Sequence, residues 1–370
     1  MQSFDFQPRT RVLFGPGTLS RLGELAKGLG RKRALVVSDP GIVAAGYSAQ
    51  AIELLEAADL KAFVFSGVEE NPTTRHVDAG LSLARENEID LLVGLGGGSS
   101  IDCAKGINFL FTNGGEMADY WGVGKAAKPM LPLIAIPTTA GTGSEAQSYA
   151  LITDPITHEK MACGDPKAAF AAAILDPVLT VSQPHHVTAS AGYDAMAHAV
   201  ETWVTTNRNP VSDLFAREAW TLLSGSYERV LSHPEDLEAR GKLLIGSYFA
   251  GAAIERSMLG ATHACANALT ARYDMVHGVA IALCLRHVVH WNGDSSNDLV
   301  SRYRELSDDL SGTLERLADA GGFPGGLLAA GASRDDLDGL SADAAGQCTG
   351  TFNPRPFSAR GAREIYEMAW

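Results

Sequence analysis

A chain of 370 residues with 46% hydrophobic and 20% charged residues is long enough for two domains and has an ordinary globular composition, which excludes a disordered chain. Its formal net charge of -13 sets it against nucleic acid and anionic membranes, because both would repel most of the surface. Its five cysteines, Cys103, Cys163, Cys265, Cys284 and Cys348, are scattered and lack a CxxC pair, so neither a disulfide framework nor a thiolate zinc site is expected and a reducing cytoplasm is the simplest setting.

In chain order, Met1 to Leu13 alternates polar and apolar residues and lacks the apolar core of a signal peptide. No later apolar run is long enough to span a membrane, and a soluble protein is expected. Short β-rich runs follow at Ala34 to Ser38, Ala62 to Phe65, Leu91 to Leu95 and Leu133 to Ile136, alternating with helix-like stretches. Strands separated by helices predict a mostly parallel sheet covered on both faces, that is, an α/β domain. After Ile174-Leu-Asp-Pro177 strand signals nearly vanish, and helix-compatible segments run to Trp370. Gln183-Pro184 interrupts any helix there, which places the boundary between an α/β domain over 1–183 and an all-α domain over 184–370.

Two segments of the first half offer ligand chemistry. Leu91 to Ser100 reads LLVGLGGGSS and leads into a helix, so Gly96, Gly97 and Gly98 let backbone approach a ligand while Ser99, Ser100 and the helix-start amides can donate hydrogen bonds to phosphate oxygens. It is not the GxGxxG fingerprint, since serine stands at position 99, and a ligand-free turn would read alike. Pro137 to Glu145 carries several hydroxyls at a predicted sheet end, where ligands of α/β sheets bind, although an ordinary Ser/Thr-rich turn reads the same. Asp39, after the strand at Ala34, could accept from an adenosine ribose and would repel a 2′-phosphate, favouring NAD over NADP; Asp39-Pro-Gly41 is equally a good turn.

In the helical half, Asp194 and His198 lie four residues apart, about 40° around a helix axis, so both project from one face and could share a divalent cation. An Asp-His hydrogen bond alone explains the pair as well. His263 and His277, each among small or apolar residues, are poor surface positions and need partners for their ring nitrogens. Together the four would make a three-histidine, one-carboxylate site suited to Fe(II) or Zn(II). Glu201, one turn past His198, reads better as an exposed carboxylate than as a partner of that site. His185, His186, His287 and His290 read as structural or surface residues, and His76, His158 and His233 have still less ligand-like surroundings.

With these residues in view the chain resembles the iron-containing (group III) alcohol dehydrogenases, a family that includes lactaldehyde reductase. The resemblance covers nearly the whole chain, through Phe14-Gly-Pro-Gly17, Asn71-Pro72, Gly96 to Asp102, Pro137 to Glu145, Gly192 to His198, His263, His277-Gly-Val-Ala280 and Asn353-Pro-Arg355. It implies the dehydroquinate-synthase-like architecture, a dinucleotide-binding α/β domain before a helical metal and substrate domain, with the metal in the cleft. It also implies that Asp194, His198, His263 and His277 ligate the metal and that Asp39, Asn71, Gly96, Gly97, Gly98, Ser99, Asp102, Thr138, Thr139, Thr142, Leu151 and Lys160 surround the cofactor. The implied activity is hydride transfer between NAD and a small alcohol, aldehyde or ketone, in a cytoplasmic homodimer or larger homo-oligomer.

Two positions depart from the family. Asn267 replaces a frequent histidine proposed to relay a proton, and Arg286 replaces a frequent proline. Asn267 is a candidate substrate contact but cannot act as a base near neutral pH. A dehydroquinate-synthase-like lyase is the alternative reading, although the metal-site segments supply only Arg272 for a phosphorylated substrate. A non-catalytic assembly module is a third, which would not require three histidines and an aspartate.

Overall fold

The computed structural model describes residues 4–157 and 159–370, so His158 lies outside the described residues. The described residues divide into two compact units: Gln7–Gln183, and Pro184–Trp370 together with Phe4–Phe6.

The first unit contains strands β1 (Arg11–Phe14), β2 (Arg33–Val37), β3 (Lys61–Phe65), β4 (Leu91–Gly96), β5 (Gly122–Val123), β6 (Leu133–Pro137), β7 (Tyr149–Thr153), β8 (Lys160–Gly164) and β9 (Ala172–Leu175). Its helices are α1 (Leu22–Gly28), α2 (Pro40–Ala44), α3 (Tyr47–Glu56), α4 (Thr74–Glu86) and α5 (Gly98–Asn113). Six strands form one parallel sheet in the order β1-β9-β6-β4-β2-β3.

Each central strand is an unbroken apolar run because both faces are covered. On one face Val36, Val93, Leu95, Ile134, Ile136 and Ile174 pack with Leu22, Leu25, Ala51 and Leu55 of α1 and α3. On the other face α5 sits directly on β4. A Cβ on Gly94 would lie 3.1 Å from the Ile101 Cα, so glycine there lets the helix approach. Each fully buried Leu, Ile or Val contributes about 1.5–3 kcal/mol.

A second, small sheet was not anticipated. β7 pairs antiparallel with β8, and β5 joins β8 in parallel. Lys160-Met-Ala-Cys-Gly164 contains no β-branched residue, and its extended state follows from pairing with Tyr149–Thr153 rather than from propensity.

The second unit is helical: α6 (His185–Thr202), α7 (Pro210–Ser232), α8 (Leu237–Ser257), α9 (Ala261–Tyr273), α10 (His277–Gly293), α11 (Asn297–Arg304), α12 (Leu310–Gly321), α13 (Leu337–Ala345) and α14 (Ala359–Met368). Pro184 precedes the first turn of α6, where a proline costs no hydrogen bond. From Gly192 to Thr202 every residue of α6 is buried, and alanines at 195, 197 and 199 let neighbouring helices close around it. A helix buried on all sides must satisfy its polar side chains internally. Among the described residues no helix is long and apolar enough to cross a membrane.

Candidate functional site

In the Gln7–Gln183 unit the sheet order reverses at β2 and β4: the chain moves from β2 outward to β3, then returns to the other side of β2 as β4. Ligands of open α/β sheets bind outside the carboxyl ends of the strands at such a point. The predicted residues meet there. Asp39 follows β2, Gly96 ends β4, and the Ser100 hydroxyl donates to the Asp39 carboxylate at 3.3 Å across the gap.

Gly96 has a φ of 148° and a Cβ there would lie 2.7 Å from Ser100 Oγ and 2.9 Å from Asp39 Oδ2, so only glycine fits. Gly97 is the N-cap of α5 and Gly98 its first residue, so the free amides of the first turn begin here. Both glycines face the turn after β6: a Cβ on Gly97 would approach Thr139 to 3.3 Å, and one on Gly98 would approach Thr142 to 2.6 Å. The Thr138 hydroxyl is buried and has no hydrogen-bond partner among the described residues. Asp39 also caps α2, accepting from the Ile42 amide at 3.1 Å, so the turn reading holds for one of its oxygens.

The remaining predicted cofactor residues divide into two groups. Lys160 Nζ donates to Asn71 Oδ1 at 3.0 Å, while Leu151 is exposed. Asp102 instead belongs to a buried network. It accepts from the Leu151 amide at 3.2 Å, from Lys105 Nζ at 3.2 Å and from the Ser144 hydroxyl. Lys105, fully buried, donates further to Ser144 Oγ at 2.7 Å and to the Ser144 carbonyl at 2.9 Å. One buried cation thereby ties α5 to the turn after β6. Lys105 carried no signal in the sequence beyond lying three residues past Asp102 on a helix.

Glu145, beside this network, is buried, and its Oε1 has no hydrogen-bond partner among the described residues. Burial raises its carboxyl from 4.5 to about 7, with the Asp102 charge adding to the rise and its own backbone hydrogen bond and Lys105 opposing it. Because the folded value is the higher one, its contribution to stability is full below about pH 4.5 and is lost as pH rises through about 7. Glu145→Gln is therefore expected to gain on the parent across that window by roughly 3 kcal/mol. Urea unfolding of both proteins at the two ends of the window measures it, and a difference independent of pH would contradict it.

In the helical unit Asp194 and His198 come from the buried middle of α6, His263 from the first turn of α9, and His277 is the first residue of α10. The Nε2 atoms of His198, His263 and His277 lie 3.4, 3.3 and 3.7 Å from one atom, Asp194 Oδ1. Asp194, His263 and His277 each present a ligand atom within 4.8 Å of the other two. The His198 and His263 rings stack at 4.8 Å. Asp194 Oδ1 and His263 Nε2 are buried and, although 3.3 Å apart, neither makes a well-formed hydrogen bond among the described residues. Orphaned buried polar atoms of this kind call for a further partner.

Burial works against an ionised Asp194, but the imidazoles of His198, His263 and His277 outweigh it and hold the carboxyl well below the carboxylate range. Burial likewise disfavours charge on His263, and the Glu201 and Asp194 carboxylates overcome it, raising the ring to about 9. The side chain of His277 is 26% exposed against 5–8% for the other three, so it marks the accessible side of the cluster.

The close approach of α10 to α6 depends on Gly278. A Cβ there would lie 2.3 Å from the Ser190 carbonyl oxygen, against backbone that cannot give way. Gly278→Ala is expected to push the start of α10 outward with His277 and to weaken divalent-cation binding about tenfold or more, since overpacking costs roughly 1–3 kcal/mol. Isothermal titration of metal-free protein with Zn(II) measures this; unchanged affinity would contradict it.

Glu201 is a correction. It is buried, not exposed, and its Oε2 lies 2.5 Å from His263 Nδ1. Asp194, His198 and Glu201 fall at i, i+4 and i+7 of one helix stripe, the signal that could have placed it. Asn267, one turn past His263, donates to Gln347 Oε1 at 3.2 Å. Arg286 pairs with Glu315 and donates to His287 Nε2 at 3.1 Å.

Among the described residues the other histidines have other surroundings. His185, His186, His233 and His290 are exposed, and His76 accepts from the Thr73 amide at 3.0 Å as a cap of α4. Burial and the Arg286 charge push His287 down to about 4.

Known proteins resemble the chain along its whole length. A family model described as iron-containing alcohol dehydrogenase matches residues 8–177, and one for the C-terminal part of the Fe-containing alcohol dehydrogenase family matches 188–370. The chain is 40% identical over 280 residues to alcohol dehydrogenase 4 of Schizosaccharomyces pombe, a match covering 76% of this chain and 66% of that protein. It is 32% identical over 377 residues to the NAD-dependent methanol dehydrogenase of Bacillus methanolicus, covering 98% and 99% of the two. A solved structure of 1,3-propanediol oxidoreductase superposes with a TM-score of 0.96 at 31% identity, over 100% of both chains. With both halves matched by its two models and relatives aligned end to end, the chain belongs to the iron-containing alcohol dehydrogenase family.

Proposed function

We propose that this alcohol dehydrogenase is a divalent-metal- and NAD-dependent enzyme that interconverts a small alcohol and its aldehyde or ketone. The observation that carries the reading is the convergence of three imidazole nitrogens on one buried Asp194 oxygen. Nitrogen and carboxylate donors suit Fe(II) or Zn(II) rather than a hard ion held by oxygen alone, and the family favours iron. When bound, the cation supplies Lewis-acid polarisation of the substrate oxygen, and the nicotinamide exchanges the hydride.

The chain's own residues do the rest. Asp194, His198, His263 and His277 hold the cation, with Asp194 as its single anionic ligand. Gly97, Gly98 and Ser99 cradle the pyrophosphate on the first turn of α5, and Asp39 accepts from the adenosine ribose. The negative charge of Asp39 disfavours a 2′-phosphate, and the Bacillus methanolicus relative is named as NAD-dependent. Asn71, Thr138, Thr139, Thr142, Leu151 and Lys160 line the cofactor, while Asp102 acts from beneath through Lys105 and Ser144. Asn267 can hydrogen-bond substrate but cannot take its proton, which leaves through water or a ribose hydroxyl. We assign the enzyme to the cytoplasm as a homo-oligomer.

A lyase acting on a phosphorylated substrate gains no support. Arg272, the cation of the metal-site segments, is held by Asp336 at 3.4 Å and Asp343 at 2.6 Å. Initial rates with NADH and NADPH across simple, diol-derived, hydroxylated and anionic aldehydes, with Fe(II) or Zn(II) supplied separately, test the proposal. Metal-dependent turnover favouring NADH is expected. No turnover of any aldehyde or matching alcohol with either metal would overturn it.

A further inference from the structure

We propose that Glu201 is a positioning residue that keeps the ring proton of His263 on Nδ1 and so reserves Nε2 as a ligand atom, an assignment that rests on the metal reading above. Glu201 and His263 stand 62 residues apart in sequence, on α6 and α9, and both are buried. Two donors converge on the one carboxylate. Oε1 accepts from the Thr262 amide at 2.6 Å, and Oε2 faces His263 Nδ1 at 2.5 Å.

The first bond satisfies an amide of the opening turn of α9, which has no partner within the helix. The second decides the tautomer of the next residue. In the neutral ring that ligation requires, a proton on Nδ1 leaves the lone pair on Nε2, the nitrogen that lies 3.3 Å from Asp194 Oδ1. A proton on Nε2 would instead turn toward Asp194 Oδ1 at 3.3 Å and occupy the lone pair that a cation needs. Carboxylate partners behind a ligating histidine fix both its tautomer and its ring orientation.

Glutamine separates this role from a purely structural cap. It offers one acceptor oxygen where Thr262 and His263 both need one. If its carbonyl keeps the Thr262 amide, its NH2 faces His263 Nδ1 and forces the ring proton onto Nε2. E201Q is therefore expected to fold, yet to bind Zn(II) about 10- to 100-fold more weakly in chelator competition on metal-stripped enzyme. In a His263→Ala background the same change is expected to leave the remaining affinity nearly unmoved, because its route to the metal is gone. A loss of equal size in that background would assign the effect to charge alone and overturn the proposal.

Wild-type affinity in E201Q would also overturn it. Failure of the unmutated chain to take up any cation would sink the metal reading itself, which is a different result. Should E201Q not fold, E201D retains both acceptors one methylene short and carries the test, with a several-fold weaker affinity expected and wild-type affinity counting against it.

Discussion

Replacing Asp194 by alanine is expected to strip the enzyme of its divalent cation and lower kcat/KM about a thousandfold or more, while NADH still binds. Asp194 Oδ1 is the common vertex of the cluster, within 3.3–3.7 Å of three imidazole nitrogens. Removing it deletes the only carboxylate proposed as a ligand and leaves three neutral or mutually repelling rings. Lewis-acid polarisation is worth several kcal/mol at the transition state, and each 1.36 kcal/mol is a factor of ten. His263→Ala should lower turnover in the same direction while keeping a weakened but measurable cation affinity through the other three ligands. Metal analysis, fluorescence titration with NADH and steady-state rates together measure it, and full turnover in a metal-free variant would defeat the ligand assignment.

Gly98→Ala is expected to do the reverse, weakening NADH binding about tenfold or more while metal content stays at the parent level. The added Cβ would sit 2.6 Å from Thr142 Cγ2, 2.7 Å from its Oγ1 and 3.0 Å from its Cβ. Thr142 cannot simply rotate away without cost, because its Oγ1 accepts from the Ser144 amide at 3.3 Å and Ser144 is fastened to Lys105 and Asp102. The first turn of α5 must shift, and its amides lose their aim at the phosphate; a loss of about 1.4 kcal/mol is tenfold. Gly28→Ala, where a Cβ meets nothing within 4 Å, is the matched control. Parent-like NADH affinity in Gly98→Ala would remove the loop from the cofactor site.

The two substitutions exploit features that differ in how far sequence alone exposes them. β2, β4 and β6 are legible because a parallel strand buried on both faces must be an unbroken apolar run, as Ala34 to Val37, Leu91 to Leu95 and Leu133 to Ile136 are. β8 is not legible, since Lys160-Met-Ala-Cys-Gly164 is extended only by virtue of its partner strand. The stripe formed by Asp194 and His198 follows from helix geometry. The burial of Glu201 on the same stripe does not, because it depends on Thr262 and His263 arriving from another helix. Lys105 is similar: a lysine three residues after an aspartate suggests an exposed ion pair, and only the fold reveals that Ser144 and Tyr149 enclose it.

The central claim is that one cation, held by Asp194, His198, His263 and His277, is required for turnover. Anaerobic titration of chelator-stripped enzyme with Fe(II), following the rate of aldehyde-dependent NADH oxidation against cation bound, tests it most directly. Activity should start near zero, rise in proportion to bound Fe(II) and stop rising at one cation per chain. Undiminished activity before any Fe(II) is added would contradict it.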